Sequence, residues 1–197
     1  GLGLDCKLEQ VLVLSGSQQG IDLCAKLFVD HGTPLALENP TYLAALQVFR
    51  FFGAQFIELD PLQPELLLAQ NRSIPLCYVI PTFQNPTGRC YTTDMRKRLA
   101  QVCMQNGMVL FEDDPYRDLV YEPCDRRPVC SYLHSGSWIY QGSISKSLAP
   151  GLRLGFLVCS EELVPYLTRL KQAADLHSSR LSQYLVLQQL LDPEQEQ

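Results

Sequence analysis

Lys146 lies in the segment Ser143-Ile144-Ser145-Lys146-Ser147-Leu148-Ala149-Pro150-Gly151-Leu152-Arg153, between two apolar runs. A lysine set among serines and small residues is poorly explained by core packing. Its amine becomes a nucleophile toward carbonyls when burial or a neighbouring cation lowers its pKa. Arg153 is a candidate for that neighbour, and its guanidinium could equally hold a phosphate through paired hydrogen bonds. The bland alternative is a surface-loop lysine.

Three other segments carry unusual chemistry. Glu112-Asp113-Asp114-Pro115-Tyr116 closes an apolar run with consecutive acids, which repel one another unless a partner such as a protonated heterocycle stabilises one of them. The alternative there is a solvated acidic turn. Ser15-Gly16-Ser17-Gln18-Gln19-Gly20 follows a strand pattern and opens a helix pattern, where free N–H groups and the helix dipole favour an anion. A plain serine N-cap explains that segment about as well. Asn85-Pro86-Thr87-Gly88 is ordinary turn chemistry taken alone, yet an asparagine at a strand's carboxyl end can donate its amide to a ligand oxygen.

Together these parts have one economical explanation. A phosphate needs donors, a pyridine nitrogen needs an acid to keep it protonated, and an aldehyde needs an amine: the demands of pyridoxal 5'-phosphate (PLP).

The elements that must position these residues are short apolar runs alternating with helical periodicity. Strands are expected at Gln10–Leu14, Pro34–Glu38, Gln55–Leu59, Leu76–Ile80, Met108–Glu112, Ser137–Gln141 and Leu154–Cys159. Helices are expected at Ser17–His31, Thr41–Phe52, Pro64–Asn71, Thr92–Asn106 and Glu161–Ala174, with another opening in Ser178–Leu191. Thr92 or Thr93 should cap the fourth of these, and Asn106-Gly107 should stop it. The order predicts an α/β fold of three layers, with a mostly parallel seven-stranded sheet between helices. Ligands of such sheets bind at the carboxyl ends of the strands, where the unusual residues cluster. The turn-rich stretch after Glu112 interrupts the regularity, as functional excursions do.

The 197 residues suffice for one sizeable domain, with an ordinary apolar share of 46% and charged share of 19%. A net charge of −5 spread along the chain gives no basic nucleic-acid surface, and no apolar run reaches membrane-spanning length. The eight cysteines form no CxxC pair and have no histidine at metal-ligand spacing, so reduced core thiols in a cytoplasmic protein are expected. The chain opens at Gly1 without a methionine and ends in the polar tail Asp192–Gln197, and it reads as a piece of something longer.

From about Gln10 to Ser182 the chain resembles the fold-type I PLP-dependent aminotransferases of class I/II, in particular those of the 2-aminoadipate and kynurenine type. The motifs that carry the likeness are Gly16-Ser17-Gln18-Gln19, Asn85-Pro86-Thr87-Gly88, Asp113-Asp114-Pro115-Tyr116, and Ser143-Ile144-Ser145-Lys146 with Gly151-Leu152-Arg153. The resemblance implies that Lys146 is the catalytic lysine, joined to the cofactor as a Schiff base and later shuttling a proton. It implies that Asp113 pairs with the pyridinium nitrogen and that Asn85 and Tyr116 bind the ring's phenolic oxygen. Tyr42 would stack on the ring, while Ser17, Gln18, Ser143, Ser145 and Arg153 would hold the phosphate.

The implied activity is transfer of an amino group between an amino acid and a 2-oxo acid, in a homodimer whose active sites lie at the interface. The family's N-terminal segment, and its C-terminal small domain with an arginine for the substrate carboxylate, have no counterpart here. Residues 1–197 are therefore expected to be the PLP-binding large domain alone. A second implied reading is the aminotransferase-like effector domain of a MocR/GntR-type transcription regulator, which would add a nucleic-acid partner. Decarboxylation or β-elimination on the same fold is a third.

Overall fold

The computed structural model describes residues 2–70, 72–120, 123–146, 148 and 150–191. The end of the expected Pro64–Asn71 helix, parts of the loop after Lys146 and the polar tail lie outside the described residues.

All seven expected strands form, as β1 (Val11–Leu14), β2 (Pro34–Glu38), β3 (Gln55–Leu59), β4 (Leu76–Val79), β5 (Val109–Asp114), β6 (Trp138–Ser143) and β7 (Gly155–Cys159). They join one sheet in the order β1-β7-β6-β5-β4-β2-β3. β7 runs antiparallel to both its neighbours, β6 and β1, and the remaining pairs are parallel. The sheet is therefore mostly parallel with one reversed strand. That reversal brings the amino end of β7 to the edge where the other strands have their carboxyl ends.

Alternation along the strands divides the interior into two cores, since successive side chains point to opposite faces. On β4, Leu76 and Tyr78 join one core while Cys77 and Val79 join the other. The first core is covered by α1 (Ser17–Phe28), α2 (Leu43–Phe51) and α4 (Val164–Asp175), through Ile21, Cys24, Phe49 and Leu167. The second is covered by α3 (Thr93–Asn106), through Met95, Leu99 and Cys103, with two 3-10 turns at Pro64–Ala69 and Val129–Tyr132. A last helix, α5 (Arg180–Leu190), follows α4. Five of the cysteines are buried and all eight are free thiols, as expected of small apolar side chains in a core.

The ends of α3 agree with the sequence expectations, and several other boundaries differ for local reasons. Thr92 is the N-cap of α3 and accepts from the Met95 N–H at 3.3 Å, and Gly107 ends that helix at φ 61°. α1 stops at Phe28, three residues early, where Val29 turns extended on the way to β2. Pro64–Ala69 and Glu161–Leu163 tighten into 3-10 turns rather than α-helix. β5 runs on through Asp113 to Asp114 because its register with β6 continues to the Asp114–Gly142 pair.

A buried arginine pins the excursion between β5 and β6. Arg96 on α3 is fully buried and donates to the carbonyls of Tyr91, Pro81, Asp125 and Arg127 and to the Thr82 hydroxyl. One side chain thus ties the loop after β4 to the loop after β5.

Candidate active site

At the edge formed by the strands' carboxyl ends lies a cavity of about 300 Å³ lined by Ser17, Gln18, Tyr42, Ile80, Asn85, Asp113, Pro115, Tyr116, Ser143, Ser145, Lys146 and Arg153. Every residue singled out from the sequence as a candidate ligand of the cofactor faces this one space. They arrive from five places: the β1–α1 turn, the start of α2, the loop after β4, the end of β5, and the segment joining β6 to β7.

The floor is Asp113. Strand alternation turns it toward the α1 side of the sheet, while Glu112 and Asp114 point to the α3 side. All three are buried, which replaces the picture of a solvated acidic turn. Each has its own partners: Glu112 accepts from the Cys130 N–H at 3.0 Å, and Asp114 accepts from the Tyr140 hydroxyl at 2.9 Å with Arg117 3.6 Å away. Asp113 accepts from the Tyr78 hydroxyl at 2.8 Å on one oxygen and from Gln141 Nε2 at 2.9 Å on the other. Burial pushes the Asp113 carboxyl up to about 6, and those two hydrogen bonds oppose the rise.

Tyr78 and Gln141 were not among the candidates read from the sequence. The signal for Gln141 was a polar residue inside an apolar strand, two positions before Ser143. Tyr78 could be found only once β4 was known to lie beside β5.

Two further walls are held by side-chain contacts. Asn85 donates its amide to the Tyr116 hydroxyl at 3.3 Å, so the two polar groups converge on one point of the cavity. Gln84, directly before Asn85 and buried, donates to the Pro40 carbonyl and accepts from the Thr87 N–H, which ties the Asn85 turn to the segment leading into Tyr42. The Tyr42 hydroxyl stands 3.4 Å from Gln18 Oε1.

The N-cap of α1 is Gly16, at φ 88°, which offers no side-chain acceptor. The Ser15 hydroxyl is bound instead to Asp175 at 2.6 Å and Ser178 at 3.0 Å, so the serine N-cap alternative does not apply. Arg153 lies over Gly16: a Cβ there would stand 2.5 Å from the guanidinium. Ser145 Oγ is buried and has no hydrogen-bond partner among the described residues. Lys146 is exposed overall, but it borders the cavity, with Nζ 6.0 Å from the centre of the Tyr116 ring.

An uncapped helix start, an arginine, an orphaned hydroxyl and a primary amine share a cavity with a buried carboxylate. That donor and acceptor set fits a phosphorylated aldehyde with a basic ring nitrogen, and PLP has those groups.

The family model for aminotransferase class I and II matches residues 2–197. The chain belongs to the class I and II aminotransferases. Within that family it is 40% identical over 190 residues to the 2-aminoadipate transaminase of Thermus thermophilus, covering 90% of this chain and 47% of that relative. The crystal structure of LysN, the α-aminoadipate aminotransferase of Thermus thermophilus complexed with N-(5'-phosphopyridoxyl)-L-leucine, superposes with a TM-score of 0.86 at 39% identity. That likeness covers 92% of this chain and 49% of LysN. An uncharacterised HTH-type transcriptional regulator of Bacillus subtilis is 32% identical over 189 residues, or 92% of this chain and 39% of the regulator. The chain spans about half or less of the length of these relatives. Its α/β fold is that of the aminotransferase large domain. Among the described residues no helix is long and apolar enough to cross a membrane, and no three His, Cys, Asp or Glu side chains group as metal ligands.

Proposed function

We propose that the protein containing this chain is a PLP-dependent aminotransferase that moves an amino group between an amino acid and a 2-oxo acid. The observation that carries this reading is that Lys146 and Asp113, from different strand ends, border the same cavity. Family membership supports it.

Bound there, PLP would supply an electron sink for charge developing at the substrate's α-carbon. The chain's own residues would do the rest. Asp113 would hold the proton on the ring nitrogen, because a buried carboxylate and a pyridinium stabilise one another. Lys146 would hold the cofactor at its aldehyde through Nζ, and as a free amine, once displaced by the substrate's amino group, would move a proton at the α-carbon. Asn85 and Tyr116 would donate to the phenolic oxygen, and the Tyr42 ring would cover one face of the heterocycle. The phosphate would be bound by the N–H groups of Ser17 and Gln18, the hydroxyls of Ser143 and Ser145, and the guanidinium of Arg153.

Residues 1–197 would be the large domain of a longer enzyme that acts as a homodimer. The free thiols support a reducing, cytoplasmic setting. The likeness to the Bacillus subtilis regulator supports a second reading, an effector domain that binds the cofactor without turnover. A basic helix-turn-helix segment upstream in the full-length sequence would favour it.

The test is to mix the full-length protein with PLP, look for a visible absorbance band, and trap it with borohydride. A covalent adduct on Lys146, with amino transfer to a 2-oxo acid, is the expected result. A stable adduct on another lysine would overturn the assignment, and an adduct on Lys146 without turnover would favour the regulator.

A further inference from the structure

Gln141 and Gly20 are related by a close fit that the cofactor roles above leave unexplained. Gln141 is fully buried on β6, directly opposite Asp113 in the β5–β6 register, and donates Nε2 to the Asp113 carboxylate at 2.9 Å. Its other amide atom, Oε1, is buried without a hydrogen-bond partner among the described residues. That oxygen lies against Gly20 on α1, where a Cβ would overlap it. Gly20 is helical and buried, in the first turns of α1, so no unusual backbone conformation asks for glycine there. The space does. A glycine inside a helix costs roughly 0.5–1 kcal/mol relative to alanine, and an orphaned amide oxygen adds a further penalty. Both penalties are borne to keep one N–H donor on Asp113.

The amide's orientation follows from the acid. A carboxylate accepts only, so the NH2 end must face Asp113 and the oxygen must face Gly20. A leucine at Gln141 would fill much the same space without leaving a buried amide oxygen unpaired. The polar residue is therefore better explained by what it does to Asp113 than by packing.

We infer that Gln141 is a positioning residue for Asp113, holding the carboxylate toward the cavity, and that Gly20 is the residue whose missing side chain admits it. The inference rests on the reading of Asp113 as the partner of the ring nitrogen. Gln141 touches neither cofactor nor substrate in this scheme and acts through Asp113. Tyr78 binds the other carboxylate oxygen, so losing Gln141 leaves the acid with one donor in place of two. The other titratable or charged groups near Asp113 are Cys24 on α1, Tyr42 before α2 and, on the opposite face of β5, the neighbouring Asp114, with Lys146 and Arg153 bordering the same cavity. All of these are unchanged in the variants below.

The experiment uses the full-length protein as Gln141→Leu, Gly20→Ala and the double variant. Two quantities are measured: the PLP dissociation constant against pH, and the Asp113 titration in cofactor-free protein by carboxyl carbon-13 NMR, with the signal assigned through Asp113→Asn. Gln141→Leu should raise the Asp113 midpoint by about one pH unit and weaken PLP binding about tenfold, the worth of one charge-assisted hydrogen bond. Gly20→Ala should shift both in the same direction by pushing the amide aside. The double variant should be no worse than Gln141→Leu alone, since the two act through one contact.

A folded Gln141→Leu protein with an unmoved Asp113 midpoint overturns the inference. So do additive effects in the double variant. If Gln141→Leu does not fold, Gly20→Ala decides by the same two measurements. An unsubstituted protein that binds no PLP overturns the functional reading instead, and the titration of Asp113 still decides the role of Gln141.

Discussion

The guanidinium of Arg96 stands 3.8 Å from the carboxylate of Glu112, both side chains fully buried, yet Arg96 gives its hydrogen bonds to other acceptors. Glu112 in turn takes its hydrogen bond from the Cys130 N–H and keeps Oε1 unpaired among the described residues. The pair is thus a charge balance without a bond between its members. Burial and the Asp114 charge push Glu112 up to about 7, and Arg96 opposes that rise. Arg96→Met should therefore cost roughly 3–5 kcal/mol, as breaking a buried pair does. Urea denaturation of the variant would measure it. A loss under about 1 kcal/mol would mean that the loop carbonyls find other donors.

Four buried carboxyls make stability fall as pH rises. Glu38 and Glu112 are pushed up to about 7, and Asp113 and Asp114 to about 6, in each case mainly by burial. Their unfolded values lie near 4, so between about pH 4 and 7 the folded state binds more protons than the unfolded one. Stability then declines with rising pH through that window. Asp175 acts in the opposite sense, because Lys171, Ser15 and Gln19 hold its carboxyl at about 2, but its contribution is lost only at lower pH. The urea midpoint of cofactor-free protein should be higher at pH 5 than at pH 7.5. Adding PLP should reduce the difference, since a pyridinium favours ionised Asp113.

Asp113→Ala tests the acid itself. A neutral pyridine is a poor electron sink, so turnover should fall by about two orders of magnitude or more, the scale seen when one preorganised electrostatic group is removed. PLP affinity should fall as well. Near-normal turnover would show that another group faces the ring nitrogen.

Much of this arrangement was legible in the sequence, and the remainder was hidden for identifiable reasons. The strands were readable because β-branched and apolar runs alternate with capped helical segments, as Thr92 and Gly107 illustrate at the two ends of α3. The candidate ligands could be gathered because a parallel sheet brings strand carboxyl ends together. Asp113 was legible as a candidate, but neither its face nor its partners were, because β5 was expected to end at Glu112 and in fact runs on to Asp114. Tyr78 and Gln141 reach Asp113 only because β4 and β6 flank β5, an order set by crossovers rather than by local pattern. Arg96 was hidden for a different reason: it stands beside Lys97 and Arg98, with nothing local to mark it alone for burial. Its burial depends on carbonyls from two loops that lie far apart in the chain.

Gly16→Ala would probe the phosphate end of the cavity without removing any functional group. The residue has φ 88°, and its absent Cβ leaves the space in which the Arg153 guanidinium lies. At φ 88° and ψ 154° the backbone is in a region that only glycine occupies readily, so a side chain costs about 1–3 kcal/mol in strain, and the new methyl would also push Arg153 away. Two effects should therefore separate by measurement. The melting temperature of cofactor-free protein reports what the substitution costs the fold, backbone strain and displacement of Arg153 together. PLP affinity should fall further than that loss of stability explains, because the displaced arginine is the cation assigned to the phosphate. Arg153→Lys supplies the comparison: it keeps the charge, loses the paired hydrogen bonds, and leaves Gly16 unstrained. If Gly16→Ala weakens PLP binding while Arg153→Lys does not, the helix start rather than the arginine holds the phosphate.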